Sequence, residues 1–503
     1  MAHIPPRVWW LVVGSLLITL SAFITIAVYG SLPTLPAHVT IGDWSVGGMP
    51  AAELERQLQE KKARLMGQPI RLMVSGGITA DLTLEQLGLQ VDEQEIKARL
   101  RPLREGSMFQ KALYKWHTRG AAWTLPRSMA GEPLTAKLKQ VFPQVYARQP
   151  VNAQRVVQAD DTIRYVPESR VEKVDEEKLA SALNALLPTW GSANWAGSSL
   201  LEHPSRQPAT TKNPLPINVP MKTIEPKITV ASLQLQGITR KISEFTTNYP
   251  PPPSKNVSTE GRIYNVCSTA ASIQDVVLKP GEVFDYAPYI EQTSKNFGFK
   301  EAPVILNGKL VPGIGGGICQ VSSTLYNAVL RAGLEIVERR NHSLPISYVP
   351  LGQDATFATG YINFKFRNSS QHSLLIRTEA TDRSLTVKLF GQTPPELTYD
   401  IESKTIETLQ PPVKYVLNPT LPSGKQEVVT PGKPGYIVET YRYKKQNGVV
   451  VSQEKISRDT YSAQPTLIAS NSGSSGIDRA APGPGGETPQ PLIEDGVKGP
   501  NFR

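Results

Sequence analysis

Three consecutive glycines run into a cysteine in the string Gly315-Gly316-Gly317-Ile318-Cys319-Gln320. From Val321 onward, Leu325, Ala328, Val329 and Ala332 recur at helical spacing, and Gly333 is a natural stop. That spacing predicts a helix with Cys319 in its first turn. There, free backbone N–H groups and the positive end of the helix dipole favour a thiolate, the form of cysteine that attacks carbonyl carbon. His342 and Asp354 follow in the order thiol, imidazole, carboxylate, which proposes a nucleophile, a base and an acid that orients it. Around them, Gly315, Gly316 and Gly317 leave room for a substrate to reach the sulfur. The backbone N–H groups of Cys319 and Gln320, with the Gln320 amide, are candidate oxyanion donors. Arg340, beside Arg339, is a candidate clamp for a substrate carboxylate. Each choice has a plainer alternative: a packed inert thiol, a turn histidine, a turn aspartate and a solvated basic pair.

The elements that must position these groups follow from the surrounding pattern. RIYNVCSTAASIQDVVL predicts a helix ended by Pro280-Gly281, and PVILNGKLV predicts a hairpin turning at Asn307-Gly308. After the Cys319 helix the pattern changes to strands, HSLPISYVP, TGYINFKF, HSLLIRTEA and SLTVKLFG. Upstream, residues 38–205 suggest two degenerate copies of a strand-plus-helix module. In the first, Ala51, Leu54, Leu58 and Ala63 line one stripe; in the second, TIRYV precedes a helix with Leu179, Leu183 and Leu186 on one face. Residues 206–234 contain a polar, proline-dotted linker. The stiff run Tyr249-Pro250-Pro251-Pro252-Pro253 falls inside the unit that carries the chemistry, placed at 235–395. A hairpin-rich β unit occupies 396–470, and the glycine-, serine- and proline-rich 471–503 reads as a disordered tail.

The first thirty residues set the location. Val8 to Gly30 carry no charge, long enough at about 1.5 Å per residue to cross a hydrocarbon core of about 30 Å. Arg7 precedes this stretch and no further Lys or Arg occurs before Arg56, so the N-terminus is expected in the cytoplasm and the bulk outside the cell. A cleaved signal peptide is the alternative, and it also exports the bulk. The chain of 503 residues is too long for one core. Its net charge of +10 is scattered and not gathered with aromatics, which argues against a nucleic-acid site; outside a membrane it points to anionic cell-wall polymers or lipid head groups, with a diffusely solvated surface as the plainer reading of most of these charges. With two cysteines, Cys267 and Cys319, disulfides do not organise the fold, although one bridge between them stays open. No zinc-type spacing occurs, and neither a metal nor a cofactor is expected.

Residues 262–392 resemble the VanW domain family through LKPGEVFDY, the block GIGGGICQVSSTLYNAVLRAGLEIVERRNHSLPISYVPLGQDAT and INFKFRNSS. WSVGGMPAAEL and LTLEQLGL resemble the peptidoglycan-binding modules that often precede such domains. EVVTPGKPGYIVETYRYKKQNGVVVSQEKISRDTYSAQPTLI resembles the five-glycine extracellular module. The resemblance implies an α+β multidomain chain with a transmembrane helix, α/β repeat modules, a helix-plus-antiparallel-sheet core and a small all-β module. It also implies peptidoglycan as partner. Some family members are regarded as L,D-transpeptidases that use a cysteine, so it implies Cys319 as nucleophile, His342 as base and Asp354 as orienting residue in a transpeptidase or carboxypeptidase. The usual L,D-transpeptidase signature, with a histidine closely preceding the cysteine, is absent. A non-catalytic wall-binding scaffold is the other function that these domains allow.

Overall fold

A computed structural model describes residues 6–129, 131–192, 214–249, 259–306, 308–471 and 493–497. The prolines of the Tyr249–Pro253 run, Asn307 of the expected hairpin turn, residues 206–213 of the expected linker and most of the expected tail lie outside these residues. The chain forms two compact units: residues 1–151 with 169–227, and residues 152–168 with 228–503.

In the first unit, helix Pro6–Ser31 contains the apolar stretch Val8–Ser31, with a mean hydropathy of 2.5, most of it exposed. Helix Met108–His117 packs beside it. There Lys115 Nζ donates to the carbonyls of Tyr29 and Leu32, at 3.0 and 2.5 Å, which satisfies orphan acceptors at the end of the apolar helix. The amphipathic helix Ala51–Met66 buries Ala51, Leu54, Leu58 and Leu65, while Ala63 is exposed. Leu65 takes the place expected of Ala63 because the stripe advances by seven from Leu58.

Strand Pro69–Val74 pairs antiparallel with Ile78–Thr83 and parallel with Leu215–Asn218. Val171–Val174 pairs with Met221–Ile224. Residues 215–224 are therefore strands of the first unit, not linker: their alternation of apolar and polar side chains was outweighed in the sequence by Pro214, Pro216 and Pro220. The second module copy is also corrected. Its helix, Glu176–Ala185, buries Leu179 and Leu183 in the first unit, but its opening strand Ile163–Val166 forms a hairpin with Gln154–Val157 in the second.

The second unit centres on helix Ile318–Arg331, whose residues 318–330 are all buried. An antiparallel sheet, in the order Arg240–Asn248, Ser384–Gly391, Leu374–Ala380, Val277–Leu278, packs on it. The Arg240–Asn248 strand runs beside the helix, where Ser243 Oγ donates to Ala328 O and the Thr247 and Thr324 hydroxyls bond at 2.8 Å. Helix Glu260–Ser272 stops earlier than expected, because Val277–Leu278 leaves to join the sheet. Residues 342–350, expected as a strand, are irregular; Pro345 and Pro350 each remove a ladder donor.

Strands Glu301–Leu306 and Lys309–Ile314 form the expected hairpin. A third strand, Ile493–Glu494, pairs antiparallel with Leu306 and Ile305, so part of the expected disordered tail is ordered. Composition concealed it: five residues with two acids cannot bury a core alone, but they can add to an existing edge. Long strands Leu397–Leu409, Gly435–Gln446 and Val449–Tyr461 form a three-stranded antiparallel sheet at the C-terminal side, with a second sheet from Val413–Leu417, Thr466–Ser470 and Gln426–Thr430.

Candidate functional site

The glycine run makes a tight entry into the Cys319 helix. Gly315 and Gly317 have φ of +90° and +111°, and a Cβ on Gly316 would lie 2.4 Å from the Pro303 carbonyl oxygen. Asn265 holds the run from behind, with its Nδ2 donating to Gly316 O and to Lys300 O, each at 3.0 Å. Tyr286 Oη donates to Ile318 O at 2.8 Å. Cys319 is in the first helical turn, as the periodicity requires.

The first turn is occupied by an anion. Asp495 Oδ1 accepts from the backbone N–H groups of Gly317 and Cys319 at 3.0 and 2.9 Å, and its Oδ2 accepts from Arg262 Nη2 at 3.0 Å. These are the free donors that the helix start was expected to turn toward a reacting oxygen. Gln320 is not one of them: its N–H donates to Gly317 O, and its side-chain Nε2 donates to Thr247 Oγ1 and Asn248 O. The donor pair is therefore Gly317 and Cys319: Cys319 stays, and Gly317 takes the place expected of Gln320, whose N–H is spent on a helical bond.

The Cys319 sulfur is fully buried; it accepts from Phe357 N–H at 3.0 Å and donates to Phe357 O at 3.4 Å. Burial, then the negative Asp495 beside it, push the thiol well above its usual range, although the Phe357 N–H works the other way. A helix start favours an anion by about 1 kcal/mol, less than one pKa unit, whereas full burial shifts a group by up to about 3–5 units. Burial wins, and the expected thiolate is a neutral thiol in this arrangement. Both cysteines are free thiols, so the bridge between them is not formed.

His342 and Asp354 meet, with no solvent exposure at either. His342 Nδ1 lies 2.7 Å from Asp354 Oδ2, which also accepts the His342 backbone N–H at 2.7 Å. The carboxylate thereby fixes the ring. Burial favours neutral Asp354, but the hydrogen bond and charge of His342, with Arg339, lower its pKa to about 2. The same pairing outweighs burial at His342 and raises its pKa, helped by Asp495 and Glu494. His342 Nε2 is buried without a hydrogen-bond partner among the described residues. No hydrogen bond among them joins it to Cys319.

Arg339, which the sequence reading named only beside the Arg340 clamp, and Tyr461, which it did not name, are partners of this dyad, and Asp459 pairs with Arg339. Arg339 donates to Asp354 O at 2.6 Å, to Asp354 Oδ1 at 3.2 Å and to Asp459 Oδ1 at 2.6 Å. Tyr461 Oη donates to Asp354 Oδ1 at 2.5 Å and accepts from Gly352 N–H at 2.7 Å. Asp459 and Tyr461 lie more than a hundred residues downstream of the dyad, in the C-terminal β region, so no local motif could have marked them. Arg340 is exposed, with its backbone carbonyl accepting from Thr356 N–H, and Arg262 is the arginine that meets the carboxylate.

Residues 261–390 match the family described as VanW like protein, and residues 401–470 match the G5 domain. The chain thus has a region similar to VanW domains followed by one similar to G5 domains; Tyr461, in the second, bonds Asp354 in the first, and Asp459 bonds Arg339. Over 180 residues the chain is 37% identical to the uncharacterized protein YoaR of Bacillus subtilis (strain 168), covering 36% of this chain and 57% of that one. Over 153 residues it is 29% identical to the vancomycin B-type resistance protein VanW of Enterococcus faecalis (strain ATCC 700802 / V583), covering 29% of this chain and 56% of that one. The chain thus spans little more than half the length of these curated relatives. Two solved G5 structures are similar to a small part of the chain. HP0197-G5 is 23% identical, with 15% of this chain and 97% of that one covered and a TM-score of 0.12. The IgA1 protease G5 domain is 29% identical, with 16% and 93% covered and a TM-score of 0.13.

Proposed function

We propose that this is a membrane-anchored, extracytoplasmic cell-wall protein whose VanW domain is a cysteine L,D-transpeptidase or carboxypeptidase acting on peptidoglycan stem peptides. The G5 domain holds wall polysaccharide, and the upstream modules extend the reach from the membrane. The observation that carries the catalytic part is the carboxylate bound by the N–H groups of Gly317 and Cys319: a pair of donors beside the only cysteine of that helix already holds an oxyanion. The His342–Asp354 pair, with Nε2 unpartnered, supplies an oriented imidazole.

In the reaction, the Cys319 thiol proton passes to His342 Nε2 as the sulfur attacks the carbonyl joining the third stem residue to terminal D-alanine. A C–S bond forms and the C–N bond breaks. D-Alanine leaves as an amine, taking the proton from His342. An amine of a second stem then attacks the thioester, forming a cross-link and returning the sulfur to a thiol; water in its place gives carboxypeptidase activity. The sulfur must first be uncovered and brought within reach of the ring.

A second reading, the non-catalytic scaffold, is favoured by one observation: the sulfur is sealed and bonded in both directions to Phe357. Incubating the detergent-solubilised full chain with tetrapeptide muropeptides separates the two. Release of D-alanine by the native chain and its loss in Cys319→Ala support the enzyme. Equal turnover in both would remove Cys319 as the nucleophile; no turnover in either, nor in Asp495→Ala, would support the scaffold.

A further inference from the structure

Five residues near the C-terminus, Ile493 to Val497, lie in the cleft between the hairpin edge and the start of the Cys319 helix. Their backbone is held as a strand: Ile493 and Glu494 pair with Leu306 and Ile305, Gly496 bridges Ala358, and Val497 N–H donates to Ile314 O at 2.9 Å. Their side chains are held as anions. Glu494 Oε2 accepts from the N–H and Oγ of Ser343, each at 3.0 Å, while Asp495 takes the two helix-start donors and Arg262. Gly496 allows the approach, since a Cβ there would stand 2.4 Å from Val304 Cγ1. The cleft keeps spare capacity: Arg262 is more than nine-tenths buried and its Nη1 has no partner among the described residues.

We propose that this cleft is a binding site for an extended acidic peptide, and that residues 493–497 are its tethered occupant, which an incoming peptide displaces to uncover Cys319. Three features define the ligand. A main chain adds antiparallel at Ile305 and Leu306, the edge that Ile493 and Glu494 pair with. A carboxylate fits the Gly317 and Cys319 N–H groups with Arg262, a charge-assisted arrangement that a neutral side chain cannot satisfy. A residue without a side chain passes Val304. The site requires no chemistry at Cys319, so it stands or falls separately from the catalytic reading.

The test uses the full chain in a Cys267→Ser background and follows iodoacetamide labelling of Cys319 at about pH 8. Asp495→Ala removes the anion; Gly496→Val keeps every charge and pushes the segment off Val304. Both variants are expected to label at least about tenfold faster than the parent, the factor given by losing one contact of ordinary charge-assisted strength. A synthetic peptide LIEDGVKG should return the Asp495→Ala rate toward that of the parent, while the same peptide with alanine for its aspartate should not. Parent-like labelling in both variants overturns the proposal, as does acceleration that the acidic peptide fails to reverse. Peptide protection without turnover would remove the enzyme and leave the site; turnover without protection would do the opposite.

Discussion

Tyr461 of the G5 domain donates its phenolic proton to Asp354 of the VanW domain across 2.5 Å, in a place with no solvent at either side chain. The same hydroxyl accepts the Gly352 N–H, so one oxygen closes both a carboxylate and a backbone donor. The G5 sheet therefore forms part of the wall that keeps the His342 ring in its orientation.

Tyr461→Phe should leave a buried N–H and one carboxylate oxygen short of partners, at a cost of about 1–3 kcal/mol. The expected result is a lower thermal midpoint for the unit that contains both domains, read by calorimetry, with the first unit's transition unmoved. An unchanged midpoint would mean that water replaces the hydroxyl.

Arg339 stands between Asp354 and Asp459 and is itself nearly sealed. Burial disfavours its charge, but Tyr326 beside it and the two carboxylates outweigh that and raise its pKa. Arg339→Leu leaves two buried carboxylates without their cation and should destabilise the unit by about 3–5 kcal/mol, whereas an exposed pair such as Arg101–Glu105 should be worth less than about 1 kcal/mol. Denaturation of the two single variants, Arg339→Leu and Arg101→Leu, checks the contrast.

The dyad makes stability depend on pH in two directions. Asp354 is lowered to about 2, so its contribution is complete above its unfolded value near 3.8 and is lost as pH falls toward 2. His342 is raised above 6.5, so its contribution is complete below 6.5 and is lost as pH rises through the higher folded value. The difference in thermal midpoint between the native chain and His342→Gln should therefore be largest near pH 5 to 6 and shrink on both sides.

Gly316→Ala would place a Cβ 2.4 Å from the Pro303 carbonyl, which is strand backbone and cannot move aside cheaply. Gly42, with nothing within 4 Å of its Cβ position, is the control for space, although its φ of +57° carries some strain of its own. Gly316→Ala should lower the thermal midpoint of its unit by several degrees more than Gly42→Ala lowers that of the other.

What could be read from the sequence was local. The Cys319 helix, its glycine entry and its Gly333 stop, the hairpin after Pro303 and the apolar N-terminal helix each rest on periodicity or turn chemistry within about twenty residues. The missing pieces were long-range. Asp495 reaches Cys319 over 176 residues, Tyr461 reaches Asp354 over 107, and Leu215–Asn218 finds Pro69–Val74 across most of the first unit. Nothing in a local window distinguishes an aspartate in a flexible-looking tail from one that caps a buried helix. The thiolate expectation failed for the same reason: a helix start is visible in the sequence, but the burial that outweighs it is not.

On the proposed reading, the Cys319 sulfur becomes an acyl carrier once Asp495 leaves the N–H groups of Gly317 and Cys319. Intact-mass measurement on the full-length Asp495→Ala chain, quenched in acid after mixing with a tetrapeptide stem, tests this directly. The expected result is an adduct equal to the stem acyl group without D-alanine, mapped to Cys319 and absent from Asp495→Ala/Cys319→Ala. An unmodified mass under conditions where Cys319 is open to iodoacetamide, or an adduct that persists without Cys319, would contradict it.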